Sequence, residues 1–146
     1  MTGLRFGRRG CALILAVALA YPASAADLAV EVQGVRSDQG NIRVGLFTDP
    51  ETFATDQGKI AEIVIVPQGG TARGAFADIA PGVYALAAYH DENANRTFDK
   101  GLFGWPLEGY GFSNDAPVFF GAPPFARAAF PVPEGGAAVV FRMVYW

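Results

Sequence analysis

Residues 90 to 99 read His90-Asp91-Glu92-Asn93-Ala94-Asn95-Arg96-Thr97-Phe98-Asp99. Oxygen-bearing side chains fall at the alternate positions Asp91, Asn93 and Asn95 and return at Asp99. That spacing suits a hard cation such as calcium, which takes carboxylate, amide and carbonyl oxygens. Numbered from Asp91 as a helix-loop-helix calcium loop, the metal ligands would be Asp91, Asn93, Asn95, the Thr97 carbonyl and Asp99. Two places depart from that loop: Arg96 stands where glycine allows the sharp turn, and Leu102 stands where a bidentate glutamate closes the shell. The preceding residues 83–89 alternate like a strand, which argues against a helix-loop-helix site. What remains is a shorter oxygen-ligand loop on a β-scaffold, completed by Glu92, Glu108 or Asp115 folding back. Its calcium affinity is expected to be weak, about 10⁻⁴ to 10⁻³ M. The competing reading is a capped turn, in which Asp and Asn side chains bond their own backbone and Arg96 and Lys100 neutralise Asp91 and Asp99. His90 is the one histidine of the chain. Without a second imidazole or a cysteine beside it, it is expected to bond a loop carbonyl rather than zinc.

The compartment that presents this loop is set by the first 25 residues, which carry the parts of an export signal. Arg5, Arg8 and Arg9 form a basic start, residues 11–21 are uncharged and apolar, and Ala23-Ser24-Ala25 supplies the small residues of a cleavage site. Gly10-Cys11-Ala12 lacks the bulky apolar residues of a twin-arginine signal, and the basic residues before Cys11 do not suit lipidation. The expectation is a signal peptide at 1–25 and a single periplasmic or secreted domain at 26–146, not membrane-spanning once cleaved. Loss of three arginines leaves 8 basic against 14 acidic residues, a net charge of −6. No basic patch survives to recognise nucleic acid. Cys11 is the single cysteine and leaves with the leader, so no disulfide can staple the domain.

The elements that must position the loop are strands, because period-two alternation recurs between turn signals. Leu28, Val30 and Val32 share one face of the first, and Ile42, Val44 and Leu46 one face of the second. Further strands are predicted over residues 60–66, 71–79, 83–89, 128–132 and 137–145. Asp49-Pro50-Glu51 reads as a helix start, which predicts one short helical turn within 49–58. Seven short strands predict an all-β, seven-stranded antiparallel β-sandwich, immunoglobulin-like or transthyretin-like, with one long ordered loop.

That loop, residues 91–125, far exceeds a hairpin connection. Phe98, Phe103, Trp105, Tyr110, Phe112, Phe119, Phe120 and Phe125 give it more apolar surface than a solvated linker tolerates. An ordered excursion packed on the domain is expected, with its rings plugging the open end of the sandwich. As a binding platform instead, Trp105, Tyr110 and Phe112 would stack on a planar ligand, while Glu108 and Asn114 would orient it.

Two phrases, GAFADIAPGVYALAAYHDENANRTFD and FGWPLEGYGFSNDAPVFFGAPPFARAAF, resemble the bacterial secreted family known as domain of unknown function 2141. The resemblance covers residues 28 to about 145, most specifically 89–95 and 108–114. It implies an export signal and an immunoglobulin-like or transthyretin-like sandwich, and it carries no catalytic residues across. Family members read closer to His-Asp-Glu-Asn-Gly-Asn-Gly at the loop, so Ala94 and Arg96 occupy the glycine places.

An exported, non-enzymatic module follows as the expected function, binding an extracytoplasmic ligand or protein partner through the 91–125 loop, with weak calcium its candidate cofactor. The alternative is a carbohydrate-binding module built on the loop aromatics. A hydrolase is disfavoured because no spacing selects a carboxylate pair, and Ser113 lacks a nucleophile-elbow context. A small outer-membrane barrel is disfavoured because eight tilted strands of about ten residues would leave no room for the excursion.

Overall fold

The computed structural model describes residues 26–146, so the expected leader lies outside the described residues. The chain is mostly β, arranged as two open sheets. The first sheet runs β4 (Thr71–Ile79), β1 (Ala26–Gln33), β8 (Ala137–Arg142). The second runs β3 (Ala61–Ile65), β2 (Asn41–Phe47), β5 (Gly82–Asp91), β6 (Tyr110–Phe112), and β7 (Phe130–Val132) also pairs with β5.

Alternation places the inner faces as the sequence predicts. Leu28, Val30 and Val32 of β1 and Ile42, Val44 and Leu46 of β2 are all buried, and they meet Phe76, Leu86 and Phe141 in one core shared by both sheets. Each such side chain stabilises the fold by roughly 1.5–3 kcal/mol relative to exposure. Register follows from this burial, because a one-residue slip would turn every inward side chain to the outer face. In β2 and β5, Leu46 faces Leu86, Ile42 faces His90 and Asn41 faces Asp91.

Three expectations are corrected. The described strands number eight rather than seven, because β6 lies inside the presumed loop. The sheets are not wholly antiparallel: β1 pairs β4 antiparallel but β8 in parallel, Leu28 beside Ala137 and Val32 beside Phe141. No helix forms within 49–58. There Asp49 Oδ1 accepts the Glu51 N–H at 2.9 Å and Oδ2 accepts the Thr52 hydroxyl at 3.1 Å, so the side chain closes a turn of its own. The described α-helix is the four-residue α1 (Phe125–Ala128), which takes the start of the strand expected at 128–132.

The aromatic residues do not plug an end of the structure. They build a second apolar layer on the outer face of the second sheet, where Phe47, Phe53, Ala85, Tyr110, Phe112 and Ala128 are buried together. Phe53, from the 49–58 turns, meets Phe47, Phe112 and Phe125 with ring centroids 5.3, 5.9 and 5.6 Å apart. The strands carry the mark of this double coverage, since residues 44–47 and 84–86 are buried at consecutive positions.

Candidate functional site

β5 delivers Asp91 fully buried at its last position, beside the β2 start. The chain then folds back over that carboxylate. Asp91 Oδ1 accepts the Asn95 N–H at 3.0 Å and Oδ2 accepts the Arg96 N–H at 2.9 Å. Asn93 Oδ1 accepts the Asn95 N–H at 3.1 Å, and Asn95 Oδ1 accepts the Thr97 N–H at 2.8 Å, two successive Asx turns. Both amide groups then converge on one oxygen, Asp99 Oδ2, at 2.7 Å from Asn93 Nδ2 and 2.9 Å from Asn95 Nδ2. Ala94 and Arg96, in the glycine places, have φ of 56° and 67°. These are left-handed conformations that L-residues adopt at a cost, so the loop keeps a glycine-type path without glycine.

The base of the loop is fastened from three sides. His90, fully buried, donates from Nε2 to the Gln39 carbonyl at 2.7 Å, and its Nδ1 shares a hydrogen bond with the Tyr145 hydroxyl at 2.9 Å. Tyr145 in turn accepts the Arg36 N–H. Glu92 takes a bidentate hydrogen bond from Arg36 and another from Ser37. Arg36 first among its partners holds the Glu92 carboxyl below the usual range, with burial opposing. Gly40 makes this closure possible: its φ is 63°, and a Cβ there would stand 1.9 Å from the Asp91 carbonyl.

Glu108 lies behind the loop, 6% exposed. Its Oε2 accepts the Asp99 N–H at 3.1 Å, while Oε1 is buried with no hydrogen-bond partner. Burial pushes its carboxyl up, and the charges of Asp99 and Asp91 push the same way against the Asp99 and Glu92 amides. The expected neutralisation by Arg96 and Lys100 is absent. Among the described residues no cationic side chain pairs with Asp91, Asp99 or Glu108, and Lys100 Nζ instead stands 5.6 Å from the Phe98 ring centroid. Nor do three His, Cys, Asp or Glu side chains alone converge as a metal site among the described residues.

A groove of about 720 Å³ adjoins the polar loop, on the outer face of the second sheet. Gly45 and Ala87 leave its floor low, and Tyr89, Phe98 and Tyr110 line it from the polar-loop side. Trp105 and Trp146 meet edge to face at 5.4 Å on its rim, with Phe103, Phe119 and Phe120 standing almost fully exposed nearby. The groove walls also carry Arg43, Lys59, Arg96 and Lys100 against Asp56 and Glu62. Glu62 is engaged by both Arg43 and Lys59, at 2.5 and 2.8 Å. Burial pushes the Glu62 carboxyl up, but these two hydrogen bonds outweigh it and hold the group low.

Of the residues considered as a ligand platform, the structure brings Trp105, Tyr110 and Phe112 to this groove, the last two largely buried. Glu108 and Asn114 do not line it. Asn114 Nδ2 donates to the Arg127 and Ala129 carbonyls at 3.3 and 2.9 Å, and so fastens α1 to the excursion. Sequence reasoning missed Arg43, Lys59, Phe119 and Phe120 as groove residues. Only the two adjacent phenylalanines carried a signal, as apolar residues in a turn-rich stretch.

These features define a mostly β domain of two open sheets, with a loop-borne groove outside the second. The chain belongs to the family described as uncharacterized protein conserved in bacteria, domain of unknown function 2141, which matches residues 30–140. Nothing matches it among curated proteins or among solved structures. Among the described residues no helix is long and apolar enough to cross a membrane.

Proposed function

We propose that this chain is an exported, non-enzymatic β-sandwich of immunoglobulin-like or transthyretin-like type that captures an amphipathic ligand with an anionic end. The observation that carries this reading is the groove itself. Its rim exposes Phe103, Phe119 and Phe120 at 90%, 76% and 105%, which is an unusual disposition of apolar surface unless something covers it. Its walls carry four cations against two acids in a chain whose net charge is −3. An apolar body would lie against the rings and an acidic head would meet Arg43 or Lys100.

A non-enzymatic role is supported by the structural engagement of Ser113 and Asp115. Ser113 is fully buried, donating to the Ala128 carbonyl at 2.5 Å and accepting the Leu86 N–H at 2.9 Å. Asp115 Oδ1 accepts the Arg142 N–H at 2.8 Å. The edge-to-face Trp105–Trp146 pair favours carbohydrate as a second reading, since indole faces stack on sugar rings.

Both tryptophans of the chain stand at the groove, so intrinsic fluorescence reports its occupancy directly. Titration with dodecanoate, its neutral methyl ester and an oligosaccharide panel tests the reading. Saturable quenching by dodecanoate, weakened at least tenfold for the ester and in Phe119→Ala/Phe120→Ala, is expected. Equal affinity for acid and ester removes the anionic end, response to sugars alone installs the carbohydrate reading, and no response to any probe sinks the groove as a small-molecule site.

A further inference from the structure

We infer that the polar loop is a calcium site whose closing ligand is Glu108, seventeen residues beyond the first ligand Asp91 rather than at the twelfth loop position. The site is independent of what occupies the groove. Asp91, Asp99 and Glu108 lie close enough to act on one another electrostatically, two of them are buried, and none has a cationic side-chain partner among the described residues. Asp91 is compensated by two backbone amides. Glu108 has the Asp99 amide on Oε2 and feels the Glu92 amide as well, yet its Oε1 is sealed from solvent and makes no hydrogen bond of ordinary geometry. A buried carboxylate oxygen without a partner is costly, and native structures supply one in nearly every case.

The oxygen types that the loop and Glu108 offer suit a large, hard cation. A carbonyl or amide oxygen has two lone pairs, so Asn93 Oδ1 and Asn95 Oδ1 each keep one after accepting a backbone N–H. The carboxylates of Asp91 and Asp99 keep further acceptor capacity. The Asx turns thus hold the side chains in place without exhausting them. Because the carboxylates alone do not converge, the set depends on amide oxygens and the Thr97 carbonyl. Calcium accepts six to eight such ligands in irregular geometry, whereas magnesium demands a near-ideal octahedron. Zinc finds no ligand in His90, both of whose ring nitrogens are engaged.

Position 102, a leucine, thereby ceases to count against the loop. Leu102 is 79% exposed and points to no ligand role, while Glu108 reaches the loop from the far side of a turn closed by the Leu107 N–H on the Asp99 carbonyl at 3.0 Å.

Calorimetric titration of the chelator-treated protein with calcium chloride is the test, with thermal melting alongside. The expected dissociation constant is about 10⁻⁴ to 10⁻³ M, with a Tm rise of about 5 °C at ten times that concentration. Glu108→Gln retains an acceptor for the Asp99 N–H, so its metal-free Tm should equal or exceed that of the parent, while its calcium affinity falls at least tenfold. Asp99→Asn should weaken calcium similarly. The inference is overturned if the parent shows neither heat nor Tm shift up to about 10 mM calcium, or if Glu108→Gln binds calcium as tightly as the parent. An equal response to magnesium overturns the assignment to calcium.

Discussion

The excursion after β5 has two halves that are ordered by opposite means. Residues 91–99 are polar and exposed over much of their length, and their path is fixed by side-chain oxygens on backbone amides, such as Asp91 on the Asn95 and Arg96 N–H groups. Outside Glu108, Ser113, Asn114 and Asp115, whose side chains do bond backbone groups, residues 102–120 make no such bonds among the described residues. They are placed where Tyr110 and Phe112 sink into the outer apolar layer, leaving Phe103, Phe119 and Phe120 as unburied neighbours. Hydrogen bonds define positions to within a few tenths of an ångström but contribute about 1 kcal/mol each, whereas ring burial contributes more and specifies less. The polar half is therefore suited to holding one ion, and the aromatic half to accepting ligands of varied outline.

The largest test of that division lies within the aromatic half. Phe112 is 8% exposed and packs edge to face on Phe53, so Phe112→Ala should lower stability by about 3–5 kcal/mol through lost burial and a cavity. Phe120→Ala should change it by no more than about 0.5 kcal/mol. Urea denaturation measures both. A comparable loss in the two variants would mean that the exposed rings belong to the stabilising layer, and the groove would lose its claim to a ligand.

The polar half was the more legible in sequence, because its contacts are local. The alternate Asp91, Asn93 and Asn95 point to a cation loop or to capped turns, and the structure forms Asx turns at Asn93 and Asn95. The inner strand faces were legible for the same reason, since Leu28-Val30-Val32 and Ile42-Val44-Leu46 need only alternation. What escaped depends on contacts between distant segments. β6 is three residues long, too short to show a period, and exists because Ala87 and Tyr89 pair with Phe112 and Tyr110. The parallel partnership of β1 with β8 has no local mark at all. The outer layer did leave one, in the consecutive apolar residues Leu46-Phe47 and Tyr84-Ala85-Leu86, which a strand covered on a single face would not need. Glu108 is one of three acids, with Glu92 and Asp115, expected to fold back on the loop, and only the folded chain singles it out behind Asp99.

A smaller effect separates geometry from residue preference in the polar half. Ala94 and Arg96 occupy left-handed backbone, at a strain of about 1 kcal/mol each. Glycine at either place removes that strain but adds freedom to the unfolded chain, so Ala94→Gly should stabilise by about 0.5 kcal/mol net. Arg96→Gly should behave alike, because among the described residues Arg96 forms no ion pair. Thermal melting in chelator checks both. Destabilisation by either glycine would mean that the capped loop is not under the backbone strain its dihedral angles imply.

The smallest effect contrasts Glu92 of the polar half with Glu108, which reaches the polar loop from the aromatic half. Arg36 above all, with Ser37 assisting and burial opposing, holds Glu92 below its ordinary value of 4.5. The folded state then binds the proton less tightly than the unfolded one, so this contribution is complete above pH 4.5 and is lost as pH falls through the folded value. With the Arg36 side chain 44% exposed, solvent screening limits the pair to about 0.2–1 kcal/mol. Glu108 is shifted upward, chiefly by burial, so its contribution has the reverse sense: favourable below 4.5 and lost as pH rises through the raised value. In chelator, Glu92→Gln should flatten the acid limb of stability against pH, and Glu108→Gln the limb above 4.5. Urea midpoints measured from about pH 3 to 8 resolve the two limbs. If Glu108→Gln altered only the acid limb, Glu108 would be a solvated, ordinarily charged residue, and the buried oxygen that calls for a cation would be gone.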